Sequence, residues 1–436
     1  MERLFRRYIP KGDLGNGPYH SRPVNRFRLI LLLSLGVLFF SPPTVGRGEE
    51  VTLDQALALF YQNNYDLLIH RYEMDKAYAD YVGAKLRPNP TLSFNANGLD
   101  YYSGYLKRDE NTQITVRIDQ LIELGGKREL RTNAALAVQQ AATLTHKDVI
   151  RNLLLGFYTV YYNLELDRLN MEFGRDELTR FDRILDIAER RFNAGFLSQL
   201  DYTKIKLAKI DLENNLTNSQ AQFRKDLENF NVLLGAVTTL EPSRLGIREE
   251  FPAYQEESLI EVAYQNRYDL LAAQKQVEAA RHNMALARAL RIPDLSVGAE
   301  HDSFGPDGAS RIGGGVSIGI PVFSRAQGAI LKSNAEFKQL EEQVRKIKRV
   351  IVSDVRQGLI SYRASLAILG SYKERKASME DLLNKSEAAF SLGGITVLDL
   401  LDTRKTYRDF VTKYNQNLIQ TLLNQELLKV FTGEVK

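Results

Sequence analysis

The chain has 436 residues, enough for two or three domains, and it contains no cysteine and no tryptophan. The absence of cysteine excludes disulfides, zinc sites built from thiolates and a lipid anchor on an N-terminal cysteine. The formal net charge is +4, but residues 1–48 hold eight basic and two acidic side chains, so the rest of the chain carries about −2. A chain without a concentrated basic face is not expected to bind nucleic acid.

The N-terminal segment has the pattern of a secretory signal peptide. Basic residues precede an almost continuous apolar run over Leu29–Phe40. Twelve residues are too few to span a bilayer but suit the core of a signal peptide. Small residues follow, so we predict cleavage after Gly46 or Gly48 and assign residues 1–48 to the signal. A buried core strand and an uncleaved anchor are the alternatives.

The remainder of the chain predicts an internal duplication. The segment YQNNYDL at Tyr61–Leu67 recurs as YQNRYDL at Tyr264–Leu270, 203 residues later. The same shift holds across the following prolines and apolar residues, and chance does not maintain one shift over half a chain. We predict a first structural repeat over 49–245 and a second over 246–436.

Each predicted repeat runs helix, two strands, long helix, turn and returning helix. The opening helices are expected over 53–86 and 258–291, and each ends before a proline. The long helices are expected over 127–193 and 327–391, and the returning helices over 199–234 and 396–431. A proline-free run of about 65 residues would be ~100 Å long, which is typical of coiled-coil-like rods. A linker over 235–255 fits neither helical nor strand periodicity.

Alternating apolar and polar residues predict four strands with one apolar face each. They are expected over 91–97, 112–119, 295–300 and 312–320, within strand regions at about 90–121 and 293–321. Tyr101, Tyr102, Tyr105 and Phe304 near the strand ends match an interfacial aromatic girdle, and ordinary loop aromatics are the alternative.

Four such strands cannot stand alone in lipid, where every backbone polar group must be paired and only closed barrels span the bilayer. Known barrels begin at eight strands, so copies must pool their strands: two chains give eight and three give twelve. A soluble β-sandwich or a small sheet that caps the helices is the alternative.

The turn at the end of the second long helix carries the most informative residues. In FSLGGITVLDLLDTR, Phe390–Arg404, the chain turns at Gly393 and Gly394 and restarts a helix that holds Asp399 and Asp402. Residues three apart lie on one helical face, so both acids can point the same way. The alternative is that Asp399 is merely a first-turn acid favoured by the helix dipole and that Asp402 is solvated.

An earlier turn, at the end of the first long helix, has a similar sequence. In RFNAGFLSQLDYTK, Arg191–Lys204, Gly195 matches the turn glycine and Asp201 matches the first acid. Lys204 follows three residues after Asp201. We interpret the two turns as the tips of two helical hairpins.

No catalytic constellation is present in the sequence. The five histidines show no i, i+4 pairing, and Gly125-Gly126-Lys127 lacks the upstream glycine and the following hydroxyl residue of a phosphate loop. We therefore predict a protein that is not an enzyme, with no cofactor and no resident metal.

Several motifs occur in a fixed order along the chain. They are the two YQN…YDL openings, RPNP at Arg87–Pro90, IELGGKR at Ile122–Arg128, IPVF at Ile320–Phe323, and AFSLG at Ala389–Gly393 leading to DLLD at Asp399–Asp402. In this order they resemble the TolC-like outer-membrane efflux family over nearly all of residues 51–436. The IELGGKR motif is most similar to the branch that serves heavy-metal cation efflux.

This resemblance implies a mainly α-helical homotrimer with a twelve-stranded transmembrane β-barrel in the outer-membrane lipid and a helical tunnel in the periplasm. It also implies docking to a periplasmic adaptor (membrane fusion) protein and an inner-membrane efflux pump. In such a trimer Asp399 and Asp402 would form carboxylate rings that gate the periplasmic end.

The sequence departs from the family pattern at the tip. Phe390 and Ile395 stand where the family often has a tyrosine and an arginine that tie the tip shut. Lys204 beside Asp201 offers a substitute pair. The function predicted is a passive outer-membrane exit duct for small molecules or metal cations, and the alternative is a soluble periplasmic coiled-coil scaffold or adaptor.

Overall fold

The computed structural model describes residues 49–99, 110–246 and 250–434. The predicted signal peptide and the girdle candidates Tyr101, Tyr102 and Tyr105 lie outside the described residues. Apart from Glu49, the described elements belong to one compact unit that spans Glu50–Val435.

Helices dominate the described part of the chain. They are α1 (Leu53–Asn63), α2 (Tyr65–Lys85), α3 (Lys127–Asn193), α4 (Gln199–Leu234), α5 (Glu256–Asn266), α6 (Tyr268–Ala289), α7 (Gln327–Leu392) and α8 (Val397–Phe431). The strands are β1 (Glu49–Val51), β2 (Thr91–Asn97), β3 (Gln113–Ile122), β4 (Leu240–Pro242), β5 (Leu295–Phe304) and β6 (Ala309–Ile318).

The two long helices and the helices that return from them agree with the predicted bounds to within one residue. Helices α3 and α7 have 67 and 66 residues, which corresponds to ~100 Å each. Helix α3 packs against α4, and α7 packs against α8, so each pair forms an antiparallel hairpin. In the ranges described above, no helix is both long enough and apolar enough to cross a membrane.

The predicted opening helix over 53–86 is wrong as a single element, because it breaks at Asn64. The Asn64 backbone is extended (ψ 122°), and its side-chain oxygen accepts from the backbone N–H groups of Asp66 and Leu67 at 3.0 and 3.1 Å. Its side-chain NH₂ donates to the Leu233 carbonyl on α4 at 2.9 Å. Asparagine at this position therefore caps α2 and ties the break to the first hairpin.

The predicted copy over 258–291 breaks in the same way, at Arg267 (ψ 111°). No side-chain cap forms there. Instead the Arg267 guanidinium, 2% exposed, donates to Asp269 and to Asp354 on α7. A buried arginine between two carboxylates thus fixes the second break, where an asparagine fixes the first.

The four long strands form one antiparallel sheet in the order β2-β3-β5-β6. The central pair joins β3 to β5, with Gln113 opposite Phe304 and Ile122 opposite Leu295. All four strands were predicted, but β3 and β5 extend beyond the expected ends, to Ile122 and Phe304, while β6 is shifted three residues earlier at its start. Backbone pairing between neighbouring strands sets these bounds. The paired segments include polar residues that the alternation of apolar and polar side chains does not by itself assign to a strand.

One face of the sheet is apolar and exposed. Phe94 is 68% exposed, Val316 68% and Ile312 88%, although large apolar side chains are usually buried. The opposite face carries the charged residues of the strands, with Arg117 and Glu300 opposite each other. The sheet therefore presents its apolar side chains outward.

The linker over 235–255, which shows neither helical nor strand periodicity, contains a short strand. Strand β4 pairs with β1, and Ser243 N–H donates to the Val51 carbonyl at 2.7 Å. Asn231 on α4 holds β4 in place, because its side chain accepts from Leu240 N–H at 2.8 Å and donates to the Leu240 carbonyl at 3.2 Å. These elements surround an aromatic core that includes Phe60, Phe157, Tyr161 and Phe230.

Candidate functional site

The two hairpin tips are built by the same local chemistry. Gly195 and Gly393 have φ angles of 79° and 81°, a region that side-chain-bearing residues rarely occupy. Phe196 N–H donates to the Arg191 carbonyl, and Gly394 N–H donates to the Ala389 carbonyl, each at 2.8 Å. These bonds satisfy the last carbonyls of α3 and α7 and turn the chain into the returning helices.

Each returning helix begins with a hydroxyl cap and an acid three residues later. Thr396 accepts from Asp399 N–H at 3.2 Å, and the Asp399 carboxylate accepts from Thr396 N–H at 3.1 Å. At the first tip Ser198 accepts from Asp201 N–H at 3.1 Å and donates to its carboxylate at 2.8 Å. Asp399 thus closes a reciprocal capping box, and Asp201 occupies the matching position.

The paired acids of the second tip differ in their bonding. Hydrogen bonds from the Thr396 hydroxyl and backbone hold the pKa of Asp399 below its ordinary value. Asp402, one turn later, is exposed and makes no hydrogen bond or ion pair within the described ranges. The Asp399 carboxylate therefore caps α8 although it is exposed, whereas the Asp402 carboxylate only faces solvent.

Lys204 does form an ion pair with Asp201, at 3.2 Å between Nζ and Oδ1. Both side chains are about four-tenths exposed, and the pair lies within α4. The Ser198 hydroxyl and then Lys204 hold the pKa of Asp201 below its ordinary value. This pair supports the start of one helix and does not join the two tips.

A shared apolar cluster joins the two tips. It draws on both hairpins, and its buried members are Phe181, Ile184, Ala188, Ile205, Leu212, Phe390, Val397 and Leu400. Phe390 is 1% exposed, and Ile395 packs against the cluster edge. Both residues therefore take part in the apolar packing between the tips.

Arg191, at the end of α3, contacts the end of α7 directly. Its guanidinium donates to the Phe390 carbonyl and lies over the Phe390 ring, with 5.1 Å between the guanidinium carbon and the ring centroid. A cation over an aromatic face adds electrostatic attraction to the hydrogen bond. The first tip is thus fastened to the second within one chain.

A buried ion cluster lies behind the tips. Arg404 on α8 is fully buried and donates to Glu387 on α7 and to Glu177 on α3, the latter at 3.2 Å between Nη2 and Oε2. Its guanidinium carbon lies 5.0 Å from the centre of the Phe181 ring. Burial lowers the pKa of Arg404 and raises that of Glu387, and the attraction between them opposes both effects. One side chain therefore links three helices.

The sequence reasoning assigned no role to Arg191 or Arg404, although both lie inside the two motifs that it singled out. Each arginine precedes or follows a turn, where a basic residue is usually solvated. Their partners, Phe390, Glu177 and Glu387, lie on other helices. Only the packing of the two hairpins against each other shows that Arg404 is buried and that Arg191 contacts the end of α7.

A pair of carboxyl groups lies between α3 and α4, some distance from the tips along the chain. Burial and the neighbouring carboxyl of Asp226 raise the pKa of Asp167 to about 7. Asp226 accepts from Gln222 at 3.0 Å. The first hairpin thus contains an acid that titrates near neutral pH.

We expect this acid to make the first hairpin less stable as the pH rises. The folded pKa lies above the unfolded value of ~3.9, so the stabilisation is complete only below that value and is lost as the pH rises through about 7. After allowance for solvent screening of a half-buried group, the free energy of unfolding should fall by about 1 kcal/mol between pH 5 and pH 8. Urea unfolding followed by circular dichroism measures this change.

Asp167→Asn should remove that part of the pH dependence, while Asp211→Asn, at an exposed acid on α4, should retain it. If the free energy of unfolding changes equally with pH in Asp167→Asn and in the unmodified chain, the carboxyl pair does not control the pH dependence of stability.

Within the described ranges, no group of three or more histidine, aspartate or glutamate side chains is arranged to hold a metal ion. The tip residues supply hydrogen-bonding carboxylates, apolar packing and two arginine contacts. This chemistry suits a surface that holds helices together, and it offers no nucleophile with an adjacent base.

Comparison with known proteins places both halves of the chain in one group. The family model described as outer membrane efflux protein matches residues 56–236 and 259–434. The cobalt-zinc-cadmium resistance protein CzcC of Cupriavidus metallidurans is 24% identical over 417 residues, covering 90% of this chain and 96% of the relative. The outer membrane protein TolC of Vibrio cholerae is 27% identical over 321 residues, covering 65% of this chain and 71% of the relative.

Solved structures show the same architecture. The structure of CusC, described in connection with transmembrane channel formation, has a TM-score of 0.75 at 16% identity, covering 95% of this chain and 99% of that one. At this identity the likeness shows the fold alone. Helical hairpins and a small antiparallel sheet in one chain are therefore an arrangement already known from outer-membrane channels.

Proposed function

We propose, on the premise that this chain belongs to the outer membrane efflux protein family, that it is the outer-membrane exit duct of an efflux system. The observation that carries the proposal is the combination of two helical hairpins, each with a long helix of ~100 Å, and a sheet whose apolar face is exposed. The family description, an outer membrane efflux protein, supports a transport role, and the proposed duct performs no chemistry of its own.

In the proposed assembly three copies pool their strands. Within the described sheet β2 and β6 each have one neighbour, so one side of each strand offers unpaired backbone groups. Twelve strands from a homotrimer would close a transmembrane β-barrel in outer-membrane lipid, with Phe94, Ile312 and Val316 facing the acyl chains. The two matches to the family model, one in each half, support the proposed duplication into repeats at 49–245 and 246–436.

The hairpin tips are the proposed docking site for a periplasmic adaptor protein, which would connect the duct to an inner-membrane pump. Both tips expose large apolar side chains: Phe196 is 76% exposed, Leu200 66%, Leu392 88% and Leu398 67%. Apolar groups presented together at the end of a rod are typical of an interaction surface.

The proposed cargo is a metal cation or another small molecule. CzcC, named for cobalt, zinc and cadmium resistance, supports the metal class. The IELGGKR motif adds nothing on cargo, because it has a structural role. Lys127 Nζ pairs with Asp294 at 2.7 Å, and Leu124 N–H donates to the same carboxylate at 2.9 Å. The motif thereby joins the base of β3 and α3 to the second half of the chain.

Asp399 and Asp402 are the proposed periplasmic gate. In a trimer each would contribute three carboxylates to the narrow end of the duct, where rings of acids control the passage of ions. The exposed position of both residues supports this role. The capping bonds between Asp399 and Thr396 are compatible with this role, because they use only Oδ2 and leave the other carboxylate oxygen of Asp399 free to face the duct.

Asp399→Ala with Asp402→Ala is expected to raise single-channel conductance severalfold in planar bilayers, because the carboxylate rings are lost. Asp402→Ala alone keeps the cap and should give part of the increase. Asp201→Ala is the matched control and should leave the conductance unchanged, since it removes the acid at the corresponding position of the other tip. Equal conductance in all variants would rule out the gate.

The soluble scaffold remains the competing function, and cell fractionation distinguishes it. An exit duct should sediment with the outer membrane and need detergent for extraction. Release by osmotic shock, with no conductance from the purified chain, would contradict the proposed function.

A further inference from the structure

A single arginine lies between carboxylates on the polar face of the four-stranded sheet. Arg117 on β3 donates to Asp119 through Nε (2.8 Å to Oδ2) and Nη2 (2.9 Å to Oδ1). Its Nη1 donates to Glu300 on the neighbouring strand β5, at 2.8 Å to Oε2. About 28% of the Arg117 side chain is exposed, although it lies on an open face. All three side chains are therefore held by one another along the sheet surface.

Glycines surround this ion cluster on the same face. The pairing places Gly298 opposite Asp119, Gly313 opposite Glu300, and Gly315 opposite Gly298. A Cβ atom at Gly298 would lie 2.8 Å from Arg117 Nη2 and would clash with the Asp119 carboxylate, and one at Gly313 would lie 2.9 Å from Glu300 Oε1. The missing side chains leave the space in which the guanidinium extends across β5 toward β6.

The charges on this face nearly cancel. In the described strands the face also carries Asp302, which accepts from Gln113 at 2.9 Å, and Arg311 near the start of β6. Three acids and two arginines leave a net charge of minus one on each chain. Without the Arg117 charge the value would be minus two, and without the Glu300 charge it would be zero.

We propose that Arg117 is a specificity-determining residue of the duct. The inference rests on the proposed function, in which this face lines the bore of the pooled barrel. Fixed charges on the wall of a narrow passage set the local concentration of ions of each sign. By neutralising the carboxylates beside it, Arg117 holds the barrel bore at a low negative charge, so that this part of the duct adds little to the discrimination between cations and anions made by the proposed acid rings at the tip.

The test is the zero-current potential of the purified, detergent-extracted full assembly in planar bilayers under a potassium chloride gradient. Arg117→Gln should shift the cation-to-anion permeability ratio severalfold toward cations. Glu300→Gln should shift it toward anions. Arg244→Gln removes an equal charge from the linker after β4, where Arg244 is 75% exposed, and should leave the ratio unchanged.

The two sheet variants act in opposite directions, so a general disturbance of the channel cannot imitate the result. If Arg117→Gln fails to assemble, the direction of the Glu300→Gln shift decides. Conducting channels in which both variants keep the unmodified ratio would overturn this inference and leave the duct intact. Absence of conductance from the unmodified protein would overturn both.

Discussion

Arg404→Ala should lower the free energy of unfolding by ~3–5 kcal/mol, the usual effect of removing one partner from a buried ion pair. Arg404 is fully buried, and the substitution would leave Glu177 and Glu387 without their cation. It would also remove the contact with the Phe181 ring, 5.0 Å away. Chemical denaturation followed by circular dichroism at the helical band measures the loss.

Arg190→Ala is the matched control for this prediction. Arg190 pairs with Asp186 on the same helix, but its side chain is 72% exposed, so its loss should change stability by no more than ~0.5 kcal/mol. A triple variant, Arg404→Met with Glu177→Gln and Glu387→Gln, removes all three charges and should recover much of the stability. If Arg404→Ala and Arg190→Ala unfold at the same denaturant concentration, the cluster does not hold the three helices together.

A loss of the same size, ~3–5 kcal/mol, is expected for Arg267→Ala at the break between α5 and α6. Arg267 is 2% exposed and holds Asp269 by two hydrogen bonds, at 3.0 and 2.7 Å. It also donates to Asp354 at 3.0 Å and to the Phe431 carbonyl at 3.3 Å. The substitution would leave two carboxylates unpaired and detach the end of α8. Thermal and urea unfolding measure the effect.

The first half of the chain supplies the informative variant. Arg267→Asn introduces the residue found at the equivalent break, where Asn64 caps the following helix. It should restore a cap but not the ion pairs, so its stability should lie between those of the alanine variant and the unmodified chain. Arg281→Ala, at an exposed arginine on α6, should have little effect. Equal stability of Arg267→Asn and the unmodified chain would show that capping alone fixes this break.

The hairpins could be predicted from the sequence because their signals are local. A proline-free stretch, a turn glycine and a hydroxyl cap lie next to one another in the chain, and they set the ends of α3, α4, α7 and α8 closely. The strands were also found, since alternation is a property of neighbouring residues. Their final lengths were not, because β3 and β5 are extended by pairing with each other.

The two helix breaks and the two arginine contacts could not be predicted in the same way. Asn64 lies in a segment with continuous helical character, and its donation to Leu233 depends on a contact 169 residues away. Arg404 reaches Glu177 over 227 residues. Such residues look like ordinary polar positions until distant helices bury them. The hairpin tips could therefore be placed from their motifs, whereas the contacts that build the tips could not.

The middle of the sheet also has a consequence for the order of folding. Arg117 and Glu300 are neighbours in space but 183 positions apart in the chain. A newly made chain therefore completes β2 and β3 long before β5 exists to pair with them. Contacts of such high sequence separation form slowly, and unpaired apolar strands are prone to aggregate while they wait. We expect the first helical hairpin to form early and the sheet to close late, with an interval in which Leu92, Phe94 and Ile118 need a chaperone or a lipid surface.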